Sequence, residues 1–154
     1  RVNTLFHIAL INPEIGPNTG NIGRLCLGLN ATLHLVHPLG FSTDDKAVRR
    51  AGLDYWKHVD VQEHDDTEAF WTWAAGRRVR LFSTKVDTPY TRISWSEGDV
   101  AVFGPESKGL DERLFSQHPV FTIPMNGAIR SLNLSNAVAV VGYAALRGIQ
   151  PNLF

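Results

Sequence analysis

The sequence predicts an α/β fold, one mostly parallel sheet with helices on both faces. Two observations carry this prediction. Five short, β-rich apolar runs, Leu5 to Ile11, Thr32 to His37, Val79 to Ser83, Val100 to Gly104 and Val120 to Ile123, each stop at a Pro, Gly or polar residue and read as buried strands. Stretches of helical spacing lie between them, and such alternation implies right-handed crossovers and parallel pairing. In a sheet of this kind ligands bind beyond the carboxyl ends of the strands, so the loops after Ile11, Ser83, Gly104 and Ile123 matter most.

Leu5 to Ile11 is apolar but broken by His7, too short to span a membrane and without a small-residue cleavage site, so neither a targeting segment nor a membrane partner is expected. Asn21 to Leu29 reads as a helix, then Thr32 to His37 as a strand, with further helices over Asp44 to Ala51 and Thr67 to Ala75. Asp111 to Phe115 is a shorter helical candidate, and Asn133 to Arg147 is the longest helix. From Ala137 to Leu146 this last helix is almost unbroken in its apolar character, whereas a surface helix would show a polar face. It is either a central buried helix or a subunit interface, and the close approach permitted by Ala137, Val141, Ala144 and Ala145 favours the interface.

A chain of 154 residues suits one domain, taken here as 1–154, and 44% hydrophobic with 19% charged residues is the balance of a globular protein rather than a disordered one. Cys26 is the only cysteine, which excludes an intrachain disulfide or cysteine zinc cage and points to the cytoplasm. Net charge is zero, so no whole-protein field draws this chain to nucleic acid. Any such binding rests on local clusters, Lys46 with Arg49 and Arg50, or Arg77 with Arg78 and Arg80.

Three passages have the composition of a site. Pro17 to Arg24, Pro-Asn-Thr-Gly-Asn-Ile-Gly-Arg, follows the first strand and opens a helix whose unpaired N–H groups suit an anion. Arg24 is expected one turn into that helix, beside Asn21, placed to hold an RNA phosphate or simply to sit on a capped surface helix. The passage lacks the dinucleotide-binding glycine pattern, and His37 and Pro38 stand where that site needs an acid, so a nicotinamide site is excluded. Phe103 to Leu110, Phe-Gly-Pro-Glu-Ser-Lys-Gly-Leu, puts Leu110 where a P-loop needs lysine; it reads as a rigid turn offering backbone donors and acceptors to a small polar ligand. Ile123-Pro124-Met125 and then Arg130 to Ala137 form an amide-rich approach to the apolar helix. Capping explains one of its polar residues, and Ser135 and Asn136 are expected to need partners. The six histidines are scattered in sequence without metal-ligand spacing, and no Gly-x-Ser-x-Gly elbow occurs, so neither a metal nor a serine hydrolase is expected.

Taken together, Asn18 to Cys26, Phe103 to Leu110, and Ile123 to Met125 with Arg130 to Ala137 resemble the three motifs of the SPOUT RNA methyltransferases, in the same order. Gly40-Phe41, Asp44-Asp45-Lys46 and Arg49 to Tyr55 resemble the small single-domain subfamily that methylates the tRNA wobble ribose, and the likeness spans nearly the whole chain. The resemblance implies a C-terminal deep trefoil knot and a homodimer that shares its active site across the last helix, with Ala137, Val141, Tyr143 and Ala144 at the interface. It implies S-adenosylmethionine as methyl donor, leaving as S-adenosylhomocysteine, held by Ser83, Thr84, Gly104, Glu106, Ile123, Met125, Ser131, Leu132 and Asn133. It also implies tRNA as substrate, contacted by Asn18, Asn21, Lys46, Arg49, Arg50, Lys108 and Arg130, with cytidine or a modified uridine at position 34 receiving the methyl.

Arg24 matches the family's catalytic arginine. Because a guanidinium keeps its protons, it is better cast as an anchor and stabiliser of the developing alkoxide than as a base. The chain departs from the subfamily at Asn126-Gly127-Ala128-Ile129, where a more polar run is usual, and in a loop after Ser83 one residue short. Methylation of another RNA such as rRNA, and a non-catalytic RNA-binding dimer, remain the competing expectations.

Overall fold

The computed structural model describes residues 3–43 and 55–154. The expected helix over Asp44 to Ala51, and with it Lys46, Arg49 and Arg50, lies outside the described residues. Six strands, β1 (Phe6–Ile11), β2 (Ala31–Val36), β3 (Val61–His64), β4 (Val79–Phe82), β5 (Val100–Phe103) and β6 (Val120–Phe121), form one sheet in the order β3-β2-β1-β5-β4-β6. Every pairing between them is parallel, as the alternation of elements predicts.

Period-two alternation in β1 explains its central place. Phe6, Ile8 and Leu10 point to one face, where Ile22, Cys26 and Leu29 of α1 (Gly16–Leu29) and Val138, Val141 and Ala145 of α3 (Leu134–Ile149) cover them. Ala9 and Ile11 point to the other, against Phe70 and Ala74 of α2 (Thr67–Ala74). A strand buried on both faces reads as a continuous apolar run, which is why β1, β2 and β5 are plain in the sequence. By contrast β3, Val-Gln-Glu-His, is a half-exposed edge strand with no apolar run, and it escaped the sequence reading.

Two boundaries shift with consequences for the site. Gly16 opens α1, five residues before Asn21, with Pro17 in its first turn, where the missing N–H costs nothing. The Pro17 to Gly20 passage is therefore helix rather than loop, and Arg24 sits more than two turns in. The other shift concerns α3, which resolves the choice between core and interface along its length. Val138, Val141, Gly142, Ala145 and Leu146 are buried within this chain, and a Cβ at Gly142 would come 2.5 Å from a Leu29 methyl of α1. Val141, at 0% exposure, is thus a residue of the chain's own core and has no surface left for a partner. Tyr143, 45% exposed, and the partly buried Ala137 and Ala144 form the outward side.

Candidate active site

The carboxyl ends of β4 and β5, the chain after β6 and the first turns of α1 and α3 enclose a cleft of about 570 Å³. Ser83 and Thr84 enter it from β4, Gly104 and Glu106 from β5, Ile123 and Met125 from beyond β6, and Ser131, Leu132 and Asn133 from the approach to α3. All nine residues expected to hold a methyl donor line this one space. Asn18, Lys108 and Arg130 line it too. Reasoning from motifs missed Ile15, Phe82, Lys85 and Thr122, which also line it. They lie just outside the motifs, and for Phe82 the only signal was its place near the end of the expected strand Val79 to Ser83.

Local chemistry shapes each wall. Gly104 must be glycine, since a Cβ there would lie 2.4 Å from the Gly109 carbonyl carbon and the Leu110 nitrogen. The turn closes through the Gly109 N–H donating to the Pro105 carbonyl at 2.9 Å, and Gly109 takes a left-handed φ of 72°. On the opposite wall, Asn133 caps α3: its Oδ1 accepts from the Ser135 N–H at 2.9 Å and the Ser135 hydroxyl at 2.6 Å. Capping thus accounts for two of the polar residues. Asn136 is exposed, so the expectation that it needs a partner fails. Lys85 donates to a Glu112 carboxylate oxygen at 3.2 Å across the cleft rim.

The start of α1 departs from expectation. An external anion was expected there, but the chain supplies its own: the Glu106 carboxylate accepts from the Glu14 and Ile15 N–H groups at 2.8 and 3.0 Å and from Asn18 Nδ2 at 3.2 Å. Glu14 answers by accepting from the Ser107 N–H at 2.8 Å and hydroxyl at 2.9 Å. These Ser107 hydrogen bonds, the backbone one foremost, hold the Glu14 carboxyl below its ordinary pKa. Two carboxylates therefore clasp α1 to the turn after β5, and Glu106 turns its charge toward the helix.

Arg24 and Asn21 are exposed on α1 and do not line the cleft. The Arg24 guanidinium carbon sits 4.7 Å from the centre of the Tyr55 ring. Two members of the Arg77, Arg78 and Arg80 cluster have partners within the fold. Arg78 pairs with buried Asp99 at 2.8 Å at the amino ends of β4 and β5, opposite the cleft, and Arg77 stacks on Trp73 at 4.1 Å. Among the described residues no group of three His, Cys, Asp or Glu side chains is arranged to hold a metal ion. The histidines are not all scattered, however. His7 Nδ1 meets His34 Nε2 at 2.9 Å, and His34 Nδ1 meets His64 Nε2 at 2.9 Å, a row of three imidazoles across β1, β2 and β3.

Comparison with known proteins fits this geometry. The family model for the SpoU rRNA methylase family matches residues 5–143. The chain belongs to the SpoU methylase family. Among relatives in that family, it is 48% identical over 146 residues to the tRNA (cytidine(34)-2'-O)-methyltransferase of Methylovorus glucosotrophus, covering 93% of this chain and 95% of that protein. It is 43% identical to the protein of the same name from Escherichia coli strain K12, covering 93% of each. A structure solved in work on the 2-OH methylation of C/U34 on tRNA superposes with a TM-score of 0.91 at 42% identity, over 96% of this chain and 97% of that one. The AdoMet-bound rRNA methyltransferase of Sinorhizobium meliloti gives a TM-score of 0.84 at 25% identity, over 97% of this chain and 57% of that one.

Proposed function

We propose that this SpoU-family chain, as one catalytic domain, transfers a methyl group from S-adenosylmethionine to the ribose 2′-OH of the wobble nucleotide of cytoplasmic tRNA. The observation that carries the reading is the convergence of three separate loops on one cleft at the strand ends. The kinship to cytidine-34 methyltransferases supports the choice of RNA.

The residues present fit such a donor. The cleft lies within the roughly 300–1,000 Å³ of ordinary small-molecule sites. Phe82, Phe103, Ile123 and Leu132 supply apolar wall, while Ser83, Thr84 and Ser131 supply polar side chains and the Gly104 turn supplies closely approachable backbone. Glu106 and Asn133, with their side-chain oxygens engaged within the fold, would shape the pocket more than bind in it. Bound there, the donor supplies an electrophilic sulfonium methyl and departs as S-adenosylhomocysteine.

The chain's own part is to align a ribose hydroxyl and stabilise the charge that develops on it. Arg24 is the residue for this. It stays cationic throughout, so it anchors the RNA and stabilises the alkoxide while a substrate phosphate takes the proton. Its place outside the cleft of its own chain supports a homodimer in which α1 of one protomer faces the cleft of the other, with Ala137, Tyr143 and Ala144 at the two-fold contact. Asn21, Lys108 and Arg130 are the RNA contacts on the described surface, whereas Asn18, buried with its amide on Glu106, faces the cleft. The knot of the family is supported by Thr122, which donates to the Thr88 carbonyl and accepts from the Tyr90 N–H, laying the chain after β6 against the loop it would thread.

The family model's own description as an rRNA methylase favours a second reading, methylation of rRNA. Incubation of the protein with methyl-labelled donor and either tRNA or rRNA, followed by nucleoside mapping by mass spectrometry, separates the two. Label at tRNA position 34 is expected, and label confined to rRNA would overturn the first reading. Arg24→Ala should lower turnover at least about a hundredfold with donor affinity unchanged; a variant keeping half of wild-type methylation removes Arg24 from the mechanism.

A further inference from the structure

We infer that Tyr55 is a positioning residue for Arg24, holding the guanidinium by its face so that all of its N–H donors stay available to the RNA. The inference rests on the proposed role of Arg24. Its observation is the ring beneath that side chain, 4.7 Å from the guanidinium carbon and inside the roughly 6 Å reach of a cation–π contact.

The contrast with other arginines of the chain gives the contact its meaning. Arg78 spends Nε on Asp99 and Nη2 on the Ser94 carbonyl, Arg113 spends its fork on Asp111 at 2.6 Å, and Arg77, though it too lies over a ring, spends Nε on the Trp73 carbonyl. Arg24 makes no hydrogen bond or ion pair among the described residues. A carboxylate partner would fix the side chain by consuming the donors that a phosphate or an alkoxide needs. An aromatic face fixes the guanidinium plane and leaves the in-plane donors pointing outward.

The ring is itself anchored. Trp56 follows Tyr55 and opens a short 3-10 helix, Trp56–His58. Its indole lies so close to Gly23 that a Cβ there would come 2.6 Å from Trp56 Cζ3. Neighbouring residues of α1, Gly23 and Arg24, therefore meet neighbouring residues Trp56 and Tyr55, and the indole docked at Gly23 sets where the phenol ring stands. Glycine at 23 admits the indole, and the indole delivers the ring to Arg24.

The test compares Tyr55→Leu and Tyr55→Phe with the wild type in the full chain. Tyr55 is 40% exposed, so both variants should keep the wild-type thermal midpoint. Tyr55→Leu should lower kcat about fivefold, the weight of an exposed cation–π contact, with KM for tRNA and donor within about twofold; Tyr55→Phe should restore kcat. A rise in KM alone would make Tyr55 a stacking surface for a base and overturn the proposal, as would an unchanged kcat or a Phe variant as impaired as the Leu variant. NMR gives a readout independent of turnover: ring current should shift the Arg24 Nε–H and Cδ protons upfield in the wild type and Tyr55→Phe, and not in Tyr55→Leu. Absence of that shift sinks the inference whatever the RNA substrate proves to be. Arg24→Ala assayed alongside separates the failures, because an active Arg24→Ala refutes the role of Arg24, whereas an inactive one beside a normal Tyr55→Leu refutes only the positioning.

Discussion

Acidification should destabilise this protein before its carboxylates titrate, because of the histidine row under α2. His34 is wholly buried between His7 and His64, roofed by Trp73 with ring centres 4.2 Å apart. Both of its nitrogens are used by its neighbours. Burial, more than the nearby Arg77, lowers His7 from 6.5 to about 4, with Asp60 opposing. Burial and then its two imidazole neighbours lower His34 further, and burial lowers His64. The sign follows from linkage. A base whose folded pKa is depressed is neutral in the native chain while the unfolded chain takes up protons below 6.5, so stability present above that pH is lost as it falls. At pH 5 the unfolded population gains about thirtyfold per such group, about 2 kcal/mol for His34. His7 keeps part of its ring in water and counts for about half of that, so roughly 3 kcal/mol is lost from a total of about 5–15. Urea unfolding at fixed protein concentration should show the midpoint falling by about 1.5 M between pH 7.5 and 5. The His7→Phe, His34→Leu double variant should lose most of that slope. A wild-type midpoint flat across this range, or a double variant as pH-sensitive as the wild type, refutes the reasoning.

Two further outcomes test the cleft. Gly104→Ala must push the 104–110 turn outward by about 1 Å to relieve the 2.4 Å contacts at Gly109 and Leu110; donor affinity by calorimetry should fall at least about tenfold, and unchanged affinity would place the donor elsewhere. Glu106→Gln puts an amide nitrogen where a carboxylate oxygen now accepts, so at least one of the bonds to Glu14, Ile15 and Asn18 is lost. The expected cost is about 1–3 kcal/mol in urea unfolding, and a fully stable variant would show that the clasp does not hold α1.

Legibility in the sequence followed burial and local spacing. Strands buried on both faces announced themselves as apolar runs, and strand-end logic with the three motifs placed nine residues in one cleft. Contacts that depend on parallel register stayed invisible. His7, His34 and His64 are about thirty residues apart in turn and meet only because β1, β2 and β3 lie side by side. The same holds for the Glu14 and Glu106 clasp, whose halves lie on separate loops. Motif reading placed Glu106 at the cleft, which it lines, but passed over Glu14, which stands outside the three motifs, and gave no sign that the two carboxylates hold α1 to the turn. In α3 an unbroken apolar run concealed two uses, since its inward face is core and only the side around Tyr143 is left for a partner.

The clasp also changes where RNA phosphate has to be held on a chain of zero net charge. A helix N-terminus is the cheapest anion site a neutral protein has, and here the Glu106 carboxylate already lies against it, accepting from the Glu14 and Ile15 N–H groups just ahead of Gly16. A phosphate brought to the start of α1 would meet the charge of that carboxylate, which disfavours RNA there as long as the clasp holds. What α1 still offers is one face further along, where Arg24 lies over Tyr55 with its donors unspent. The clasp and the aromatic contact are thus complementary. One fixes the helix to the turn that lines the cleft, and the other fixes the helix's cation relative to that same frame. If Arg24 acts across a two-fold axis, its distance from the reacting hydroxyl is set by both, and loosening either one should lower turnover before it lowers RNA affinity.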